Sequence, residues 1–374
     1  MITVAILFVN YGPYHLARLN CFQQHCQKLG WNAIGIEITR SGVNYNWQTT
    51  LNSSVTSILG ETSLTQVNSD QLVRLLWKKL LQLDIDIIAI AGYSRLSLLV
   101  ALLWSKWHQK PVILLSDSKE DDETRYWYKE QFKSWIVKAY QAALVAGQPH
   151  QAYLEQLGMP SEAIFTGYDV VDNHYFHPDR IGHFPSPISK PYFLAINRFV
   201  PKKNLLFLLS SYAQYRNQAT ATPWDLVLCG DGPLRDTIEQ KIKELNLETS
   251  VHLTGFLQQE ELLPYFANAQ CFVHTSIQEQ WGLVVNEAMA AGLPVLVSNR
   301  CGCFQDLVIE GKNGFGFDPT DSGQLAQQML KMSSSDQELM EMGKAGLAHI
   351  QHFSIDCFAQ SLIEAVKYVQ ARTN

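Results

Sequence analysis

The chain is poor in charged residues. They make up 17% of its 374 residues, against about 25% in an average globular protein. The hydrophobic share of 47% is ample for more than one core, which excludes a largely disordered chain. No long basic run occurs, and the formal net charge is −6, from 29 Lys and Arg against 35 Asp and Glu. We therefore expect no nucleic-acid partner, because such binding relies on phosphate neutralisation.

Long apolar runs and a leader segment are also missing. The longest apolar stretch, Leu96 to Trp104, contains Ser97 and is too short to span a bilayer. Residues 1–7 have no basic region before their apolar run and no small-residue cleavage site, so we expect a first strand there and not a signal peptide. We expect a cytoplasmic protein, either soluble or located on a membrane surface.

The sequence contains no convincing metal motif. Its seven cysteines are odd in number and scattered, which is typical of a reduced, cytosolic chain. Cys301 and Cys303 lack a second Cys/His pair at ligand spacing. Asp84 and Asp86 precede an apolar strand, so we interpret them as part of a turn and not as an Asp-x-Asp metal site. We expect neither a metal nor a cofactor.

The order of apolar segments predicts two α/β domains. Short β-branched runs alternate with longer segments of helical period, a pattern typical of parallel sheets covered on both faces. Residues 185–191 contain three prolines and interrupt both periods, so they are predicted to be a linker. We predict two Rossmann-like doubly wound domains, residues 1–184 and 192–352, facing a central cleft where ligands bind. A last helical segment, residues 353–374, could cap either domain.

Five strands are predicted in each domain. In the first they are Val4–Val9, Ala33–Ile38, Ile87–Ala91, Val112–Leu115 and Ala142–Ala146. In the second they are Tyr192–Ile196, Asp225–Cys229, Val251–Thr254, Cys271–His274 and Val295–Ser298. Helices are predicted between them, in the second domain from Asn204, Leu234, Glu260 and Leu283.

A glycine-rich turn follows one predicted strand. Gly230-Asp231-Gly232-Pro233 opens a helix, but Arg235 stands where a dinucleotide fingerprint requires its third glycine. The turn is either purely structural or lets the backbone approach a ligand. The loop after the first strand has a single glycine, Gly12, so the main support for a nicotinamide-dependent reductase is missing.

Two glutamates flank a predicted helix start. On one continuous helix Glu279 and Glu287 would be separated by about 12 Å, too far to hold one small group together. Gly282 favours a loop before it and a helix after it, so Glu279 can fold back over the helix start while Glu287 lies about one turn in. The N–H groups at such a start form an anion site. The pattern suits a ligand with a central phosphate and hydroxyls at both ends. The alternative is that the two glutamates are solvent-exposed residues flanking an amphipathic helix and bind no ligand.

Two basic residues follow the first strand of the second domain. Arg198 and Lys203 are five residues apart across a proline-bearing loop. Arginine offers a planar fork for phosphate oxygens and lysine a mobile point charge. Together with the helix start they would neutralise the charge of a diphosphate. Taken alone, two basic residues in a loop are typical of a solvent-exposed edge of the domain.

One segment resembles a known family signature. It runs from Glu279 to Glu287, contains Gly282 and continues as Ala-Met-Ala-Ala-Gly-Leu-Pro-Val. It resembles the Glu-x7-Glu signature of retaining glycosyltransferases of family 4, which have the GT-B fold. The similarity includes Arg198 and Lys203, and covers most of residues 190–320 in the right order. It also includes the segments 226–234, 253–256 and 311–315. It implies that the final helix, within residues 353–374, crosses back to the first domain.

The resemblance also implies residue roles. Arg198 and Lys203 would bind the donor diphosphate, and Glu279 the hydroxyls of the donor sugar. Glu287 would accept hydrogen bonds from the ribose. The remaining donor-binding positions implied by the resemblance are Gly12, Gly230, Gly255, Phe256, Gly282 and Leu283, with the backbone at Gly255 and Phe256 next to the base.

The chain departs from the family pattern on the acceptor side. Many relatives carry a histidine after a central strand, but here Gly92-Tyr93-Ser94-Arg95 follows. His15 or Asp117 could serve instead, although His15 also suits a purely structural contact at a helix start. Where relatives often have Gly-Gly before Glu-Val, this chain has Cys301-Gly302-Cys303, which would change how the donor sugar is recognised.

These features predict a retaining, metal-independent glycosyltransferase of hexosyltransferase type, acting in polysaccharide or glycolipid biosynthesis. It would transfer a sugar from a nucleoside-diphosphate sugar to a hydroxyl acceptor such as a glycan, a lipid-linked sugar or a small molecule. The alternatives are a nucleotide-sugar epimerase or phosphorylase on the same fold, or a non-catalytic sugar-nucleotide-binding protein.

One helical segment bears on membrane contact. Residues 127–138 mix aromatics with lysines at helical spacing, as an interfacial helix would. A core helix with snorkelling lysines explains the same pattern. Peripheral membrane contact therefore stays open.

Overall fold

The computed structural model describes residues 1–40, 55–122 and 125–372. The chain forms two compact units, one of Met1–Asp172 with Phe353–Asn374 and one of Asn173–His352. The boundary at Asp172 precedes the predicted linker at residues 185–191. The segment between them belongs to the second unit because its two short helices pack on helices of that unit.

The first unit contains a seven-stranded sheet. Its strands are β1 (Thr3–Phe8), β2 (Asn32–Glu37), β3 (Val55–Ser57), β4 (Ile87–Ala91), β5 (Val112–Ser116), β6 (Ala142–Val145) and β7 (Ile164–Thr166). They pair in parallel in the order β3-β2-β1-β4-β5-β6-β7. The order reverses between β1 and β4, the position where doubly wound sheets bind ligands beyond their carboxyl ends.

The second unit contains a six-stranded sheet. Its strands are β8 (Tyr192–Ile196), β9 (Asp225–Cys229), β10 (Val251–Gly255), β11 (Cys271–His274), β12 (Val295–Ser298) and β13 (Gly314–Phe317). They also pair in parallel, in the order β10-β9-β8-β11-β12-β13. The predicted α/β class with two Rossmann-like sheets is thus confirmed.

Helices connect the strands of both units. In the first unit they are α1 (Pro13–Lys28), α2 (Ser69–Gln82), α3 (Leu96–Trp107), α4 (Trp127–Val137) and α5 (Gln148–Gln156). In the second they are α6 (Asn173–Phe176), α7 (Pro178–Ile181), α8 (Leu205–Gln218), α9 (Arg235–Glu244), α10 (Gln259–Asn268), α11 (Leu283–Ala290), α12 (Phe304–Leu307), α13 (Ser322–Met332) and α14 (Asp336–Ile350). The last helix, α15 (Ile355–Ala371), belongs to the first unit, where it packs on α1.

Apolar residues cover both faces of the first sheet. Along β1, Ala5 and Leu7 lie in one buried cluster and Val4 and Ile6 in another. Successive side chains of a strand point to opposite faces, so a strand covered on both sides needs a continuous apolar run. This explains why the strand was predictable from its composition. Within residues 1–40, 55–122 and 125–372, no helix is both long and apolar enough to cross a membrane.

Candidate functional site

A left-handed glycine starts α11. Gly282 precedes the helix with φ +111°, a conformation that side-chain-bearing residues rarely adopt. Before it, Gly302 donates a backbone hydrogen bond to the Glu279 carbonyl (3.1 Å), so the loop lies beside the segment after β12. A Cβ built on Gly282 would lie 3.5 Å from Glu279 Cγ and 3.5 Å from His274 Nε2. Glu279 therefore folds back over the helix start, in the geometry predicted from the position of Gly282.

Glu279 is the centre of a buried polar group. Its carboxylate forms an ion pair with Lys203 Nζ, and the two side chains are only 14% and 11% exposed. The Ser276 hydroxyl donates a hydrogen bond to the same carboxylate (3.0 Å), and His274 Nε2 lies 3.4 Å from it. We call Lys203, His274, Ser276 and Glu279 the ion-pair cluster.

Burial and charge act in opposite directions on Glu279. Burial tends to raise the pKa of the carboxyl group, but the hydrogen bond from His274 and the charge of Lys203 outweigh it, and the pKa falls well below its usual range. Burial lowers the pKa of His274, which keeps the imidazole neutral. The cluster therefore holds one carboxylate and one ammonium group, with a neutral imidazole beside them.

Neighbouring loops bring Lys203 to Glu279. A short 3-10 turn, Pro201–Lys203, follows β8, and β8 pairs with β11. The Thr275 hydroxyl donates to the Lys203 carbonyl (2.9 Å), and the Ile277 N–H donates to the Lys202 carbonyl (2.9 Å). Because the carboxyl ends of adjacent parallel strands lie at one edge of the sheet, residues 76 positions apart meet there.

Arg198 lies two residues beyond the end of β8, half-buried, on the same loop as Lys203. The backbone around it is fixed by the glycine-rich turn after β9. The Phe199 N–H donates to the Asp231 carbonyl (2.8 Å), and a Cβ on Gly230 would lie 1.8 Å from the Asn197 carbonyl oxygen. This close approach explains both the glycine at position 230 and its φ of +135°, so the turn has a structural reason of its own.

The other donor-side positions lie along the same edge. Glu287 is buried on α11, one turn beyond Leu283. Burial raises the pKa of Tyr175, and the charges of Glu260 and, to a smaller degree, Glu287 add to this effect. Gly230 donates its N–H to the Gly255 carbonyl (2.8 Å) at the ends of β9 and β10. Phe256, the next residue, is 43% exposed and offers an aromatic surface.

In the first unit, one acceptor-side candidate follows β1 and the other follows β5, and β4 lies between these two strands. His15 Nδ1 accepts a hydrogen bond from the Gly12 N–H (3.1 Å), and its ring lies against Phe8, with the centroids 4.2 Å apart. Burial lowers the pKa of His15 to about 3, so the ring is neutral and fixed at the start of α1. The Gly12 N–H is therefore already used within the protein. Asp117 follows β5, near Tyr93, whose pKa is raised by burial and, to a smaller degree, by Asp117.

Three side chains were missed by the sequence analysis. His274 and Ser276 complete the ion-pair cluster. Asn197 is 7% exposed at the end of β8, and within the described residues neither polar atom of its side chain has a hydrogen-bond partner. Buried polar atoms of this kind mark positions where water or a ligand completes the bonding. All three lie at or just beyond the carboxyl ends of β8 and β11, and this location is the signal that could have identified them.

Part of the chain is similar in sequence to known glycosyltransferases. Residues 181–349 match the family model described as "Glycosyl transferases group 1". An alpha-1,3/1,6-mannosyltransferase of Mus musculus is 28% identical over 201 residues, which is 50% of this chain and 48% of the relative. The chain spans at most about half the length of the first curated relatives it matches.

Solved structures extend the similarity to the whole chain. A glycosyltransferase from Rickettsia africae has a TM-score of 0.75 at 14% identity, with 99% of this chain and 98% of that chain covered. Anabaena HepE, solved with UDP and glucose, has a TM-score of 0.73 at 18% identity, with 98% and 100% covered. The chain therefore has the GT-B fold. Its second unit contains the stretch that matches the group 1 glycosyl transferases, and this supports a glycosyltransferase.

Proposed function

We propose that this protein is a retaining, metal-independent glycosyltransferase that uses a nucleoside-diphosphate sugar as donor and a hydroxyl group as acceptor. The family match over residues 181–349 supports transfer over epimerisation or simple binding. The observation that carries the proposal is the meeting of Lys203 and Glu279 at the start of α11, where an ammonium group, a carboxylate and the N–H groups of the helix start lie together.

The chemistry requires charge stabilisation on the leaving group. In the transfer, the bond between the anomeric carbon and the diphosphate oxygen breaks, and negative charge grows on the diphosphate. Lys203, the Arg198 guanidinium and the first N–H groups of α11 would bind that charge more strongly in the transition state than in the ground state. Bound donor would share the Lys203 ammonium with Glu279, whose carboxylate then accepts hydrogen bonds from the sugar hydroxyls.

The acceptor hydroxyl would attack the anomeric carbon from the face that the diphosphate leaves. The new C–O bond forms as the old one breaks, and a diphosphate oxygen takes the hydroxyl proton. On this account no protein base is needed, which suits the neutral, hydrogen-bonded His15 of the first unit. Asp117 remains as an acceptor-binding candidate, and Glu287 and the Gly255-Phe256 backbone as contacts for ribose and base.

The comparisons suggest which substrates to test first. HepE was solved with UDP and glucose, and several curated relatives are named mannosyltransferases. We propose UDP- and GDP-linked hexoses as the first donors and a glycan or lipid-linked sugar as acceptor.

An acceptor-dependent assay tests the proposal. The full chain is incubated with each nucleotide sugar, with and without a pool of glycan and lipid-linked acceptors, and free nucleoside diphosphate is measured. A transferase releases it rapidly only with acceptor and otherwise hydrolyses the donor slowly, and proton NMR of the product shows whether the anomeric configuration is retained. Interconversion of sugars without acceptor would indicate an epimerase, and binding without release in any pool would indicate a non-catalytic protein.

Exposed aromatic residues on α4 support membrane contact. Trp127 is 80% exposed, Phe132 59% and Trp135 73%, while Ile136 and Val137 are buried. The core-helix interpretation is therefore wrong for these aromatics. Lys129 and Lys138 in the same segment are also exposed, and aromatic rings with lysines are typical of a helix at an anionic lipid surface.

We propose that α4 docks on anionic membranes, where a lipid-linked acceptor would be found. In a flotation assay, the wild-type chain should float with vesicles that contain anionic lipid. The Trp127→Ser/Trp135→Ser variant should not float with them. Trp107→Ser is the matched control, because Trp107 is 79% exposed on α3. Equal flotation of the α4 variant and the control would contradict the proposal.

A further inference from the structure

A group of metal-ligating side chains lies apart from the proposed donor site, where α1 and α15 pack together. Cys21 Sγ, His25 Nε2 and a carboxylate oxygen of Asp356 all lie within 4.8 Å of one another. Asp356 Oδ1 is 3.0 Å from His25 Nε2 and 3.6 Å from Cys21 Sγ. Across residues 1–40, 55–122 and 125–372, no other three ligating groups converge in this way. We call these three residues the interhelix cluster.

The packing of two helices sets the geometry of the cluster. Cys21 and His25 are four residues apart on α1, so their side chains lie on one face of the helix. Asp356 is in the first turn of α15, which begins after the Ser354 cap. Phe22 of α1 and Phe358 of α15 are both fully buried in one apolar cluster and hold the two helices in register. The ligating atoms are therefore positioned by the fold and not by mobile loops.

The residue types select the kind of ion. A thiolate, an imidazole nitrogen and a carboxylate oxygen are ligands of Zn²⁺, whereas Mg²⁺ and Ca²⁺ prefer oxygen alone. Three protein ligands leave one tetrahedral position for water.

The simple alternative is an ion pair between His25 and Asp356. That pair alone does not account for Cys21, which is 6% exposed and whose thiol donates a hydrogen bond of 3.6 Å to the same carboxylate oxygen. A divalent ion would replace these two contacts with three coordinate bonds, one to each side chain.

We propose that Cys21, His25 and Asp356 bind a zinc ion that fastens the last helix to the first. On binding, the Cys21 thiol releases its proton to solvent, His25 coordinates as the neutral imidazole and Asp356 as the carboxylate. The ion would be structural, because none of its ligands belongs to the ion-pair cluster or to the proposed donor contacts. The inference therefore does not depend on the proposed function.

Cobalt spectroscopy of the full chain tests the proposal. Chelator-treated protein is titrated with Co²⁺, and we expect one equivalent to bind with a near-ultraviolet sulfur-to-cobalt charge-transfer band that Zn²⁺ abolishes and Mg²⁺ does not. Cys21→Ser should lose the band, and His25→Ala should weaken binding at least tenfold. Cys357→Ser is the matched control and should behave as the wild type, since Cys357 follows Asp356 in the chain but lies outside the cluster.

A stability measurement supports the spectroscopy. Zn²⁺ should raise the melting temperature of the wild type and of Cys357→Ser by several degrees, and should not raise that of Cys21→Ser or His25→Ala. His25 keeps the test valid if Cys21→Ser fails to fold, because its side chain is 18% exposed and can be shortened. The absence of a charge-transfer band in folded wild-type protein, or a band that persists in Cys21→Ser, would overturn the proposal.

Discussion

The ion pair between Lys203 and Glu279 makes a quantitative prediction about stability. The two side chains are 11% and 14% exposed, so removing one partner leaves a charge with little access to water. Breaking a buried pair in this way costs about 3–5 kcal/mol. Glu279 keeps its hydrogen bond from Ser276 and its contact with His274, so we expect about 3 kcal/mol for Lys203→Met. Glu279→Gln should cost a similar amount.

The double variant distinguishes an interacting pair from two independent effects. Lys203→Met/Glu279→Gln contains no unpaired charge, so its loss should be smaller than the sum of the single losses by about 1–3 kcal/mol. Urea denaturation at neutral pH gives the free energies of unfolding, and Lys202→Met is the control on the same turn. Strictly additive losses would refute the claim that these two charges stabilise each other.

Three further predictions concern the same loops. Gly282→Ala should reduce the free energy of unfolding by about 1–3 kcal/mol, because φ +111° strains any residue with a Cβ, and a urea titration measures it. The lowered pKa of Glu279 contributes stability that is fully present above the ordinary pKa of 4.5 and is lost as the pH falls below that value. The loss of stability in acid should therefore be smaller in Glu279→Gln, which has no carboxyl group at this position. Urea unfolding at a series of pH values measures the difference. Arg198→Ala should lower kcat/KM about 10²–10³-fold with little change in melting temperature. Arg198→Lys keeps the charge but loses the planar guanidinium, so its kcat/KM should lie between those of the wild type and Arg198→Ala. Initial rates measure both values.

The general architecture was predictable because the central strands are buried on both faces. Runs such as Ile87–Ala91 and Asp225–Cys229 match β4 and β9 residue for residue. The strands β3 and β7 were missed because they have three residues each, and β13 because two of its four residues are glycine. Such short edge segments are stabilised by their neighbours in the sheet and have no pattern of their own.

The site was predictable to the extent that it depends on local backbone geometry. Gly282 marks a break between loop and helix, and that break alone predicts the fold-back of Glu279. The contributions of His274 and Ser276 depend on the pairing of β8 with β11, which brings Lys203 beside them. A parallel-sheet order of this kind is a tertiary property, so no spacing within one segment could indicate it.

A crystal structure with a bound nucleoside diphosphate tests the central claim most directly. The nucleotide that gives the largest thermal stabilisation is soaked into crystals of the full chain. We expect diphosphate oxygens at hydrogen-bond distance, about 3 Å, from Lys203 Nζ, from the Arg198 guanidinium and from a backbone N–H at the start of α11. A diphosphate bound elsewhere, with Lys203 still paired only with Glu279, would contradict the account.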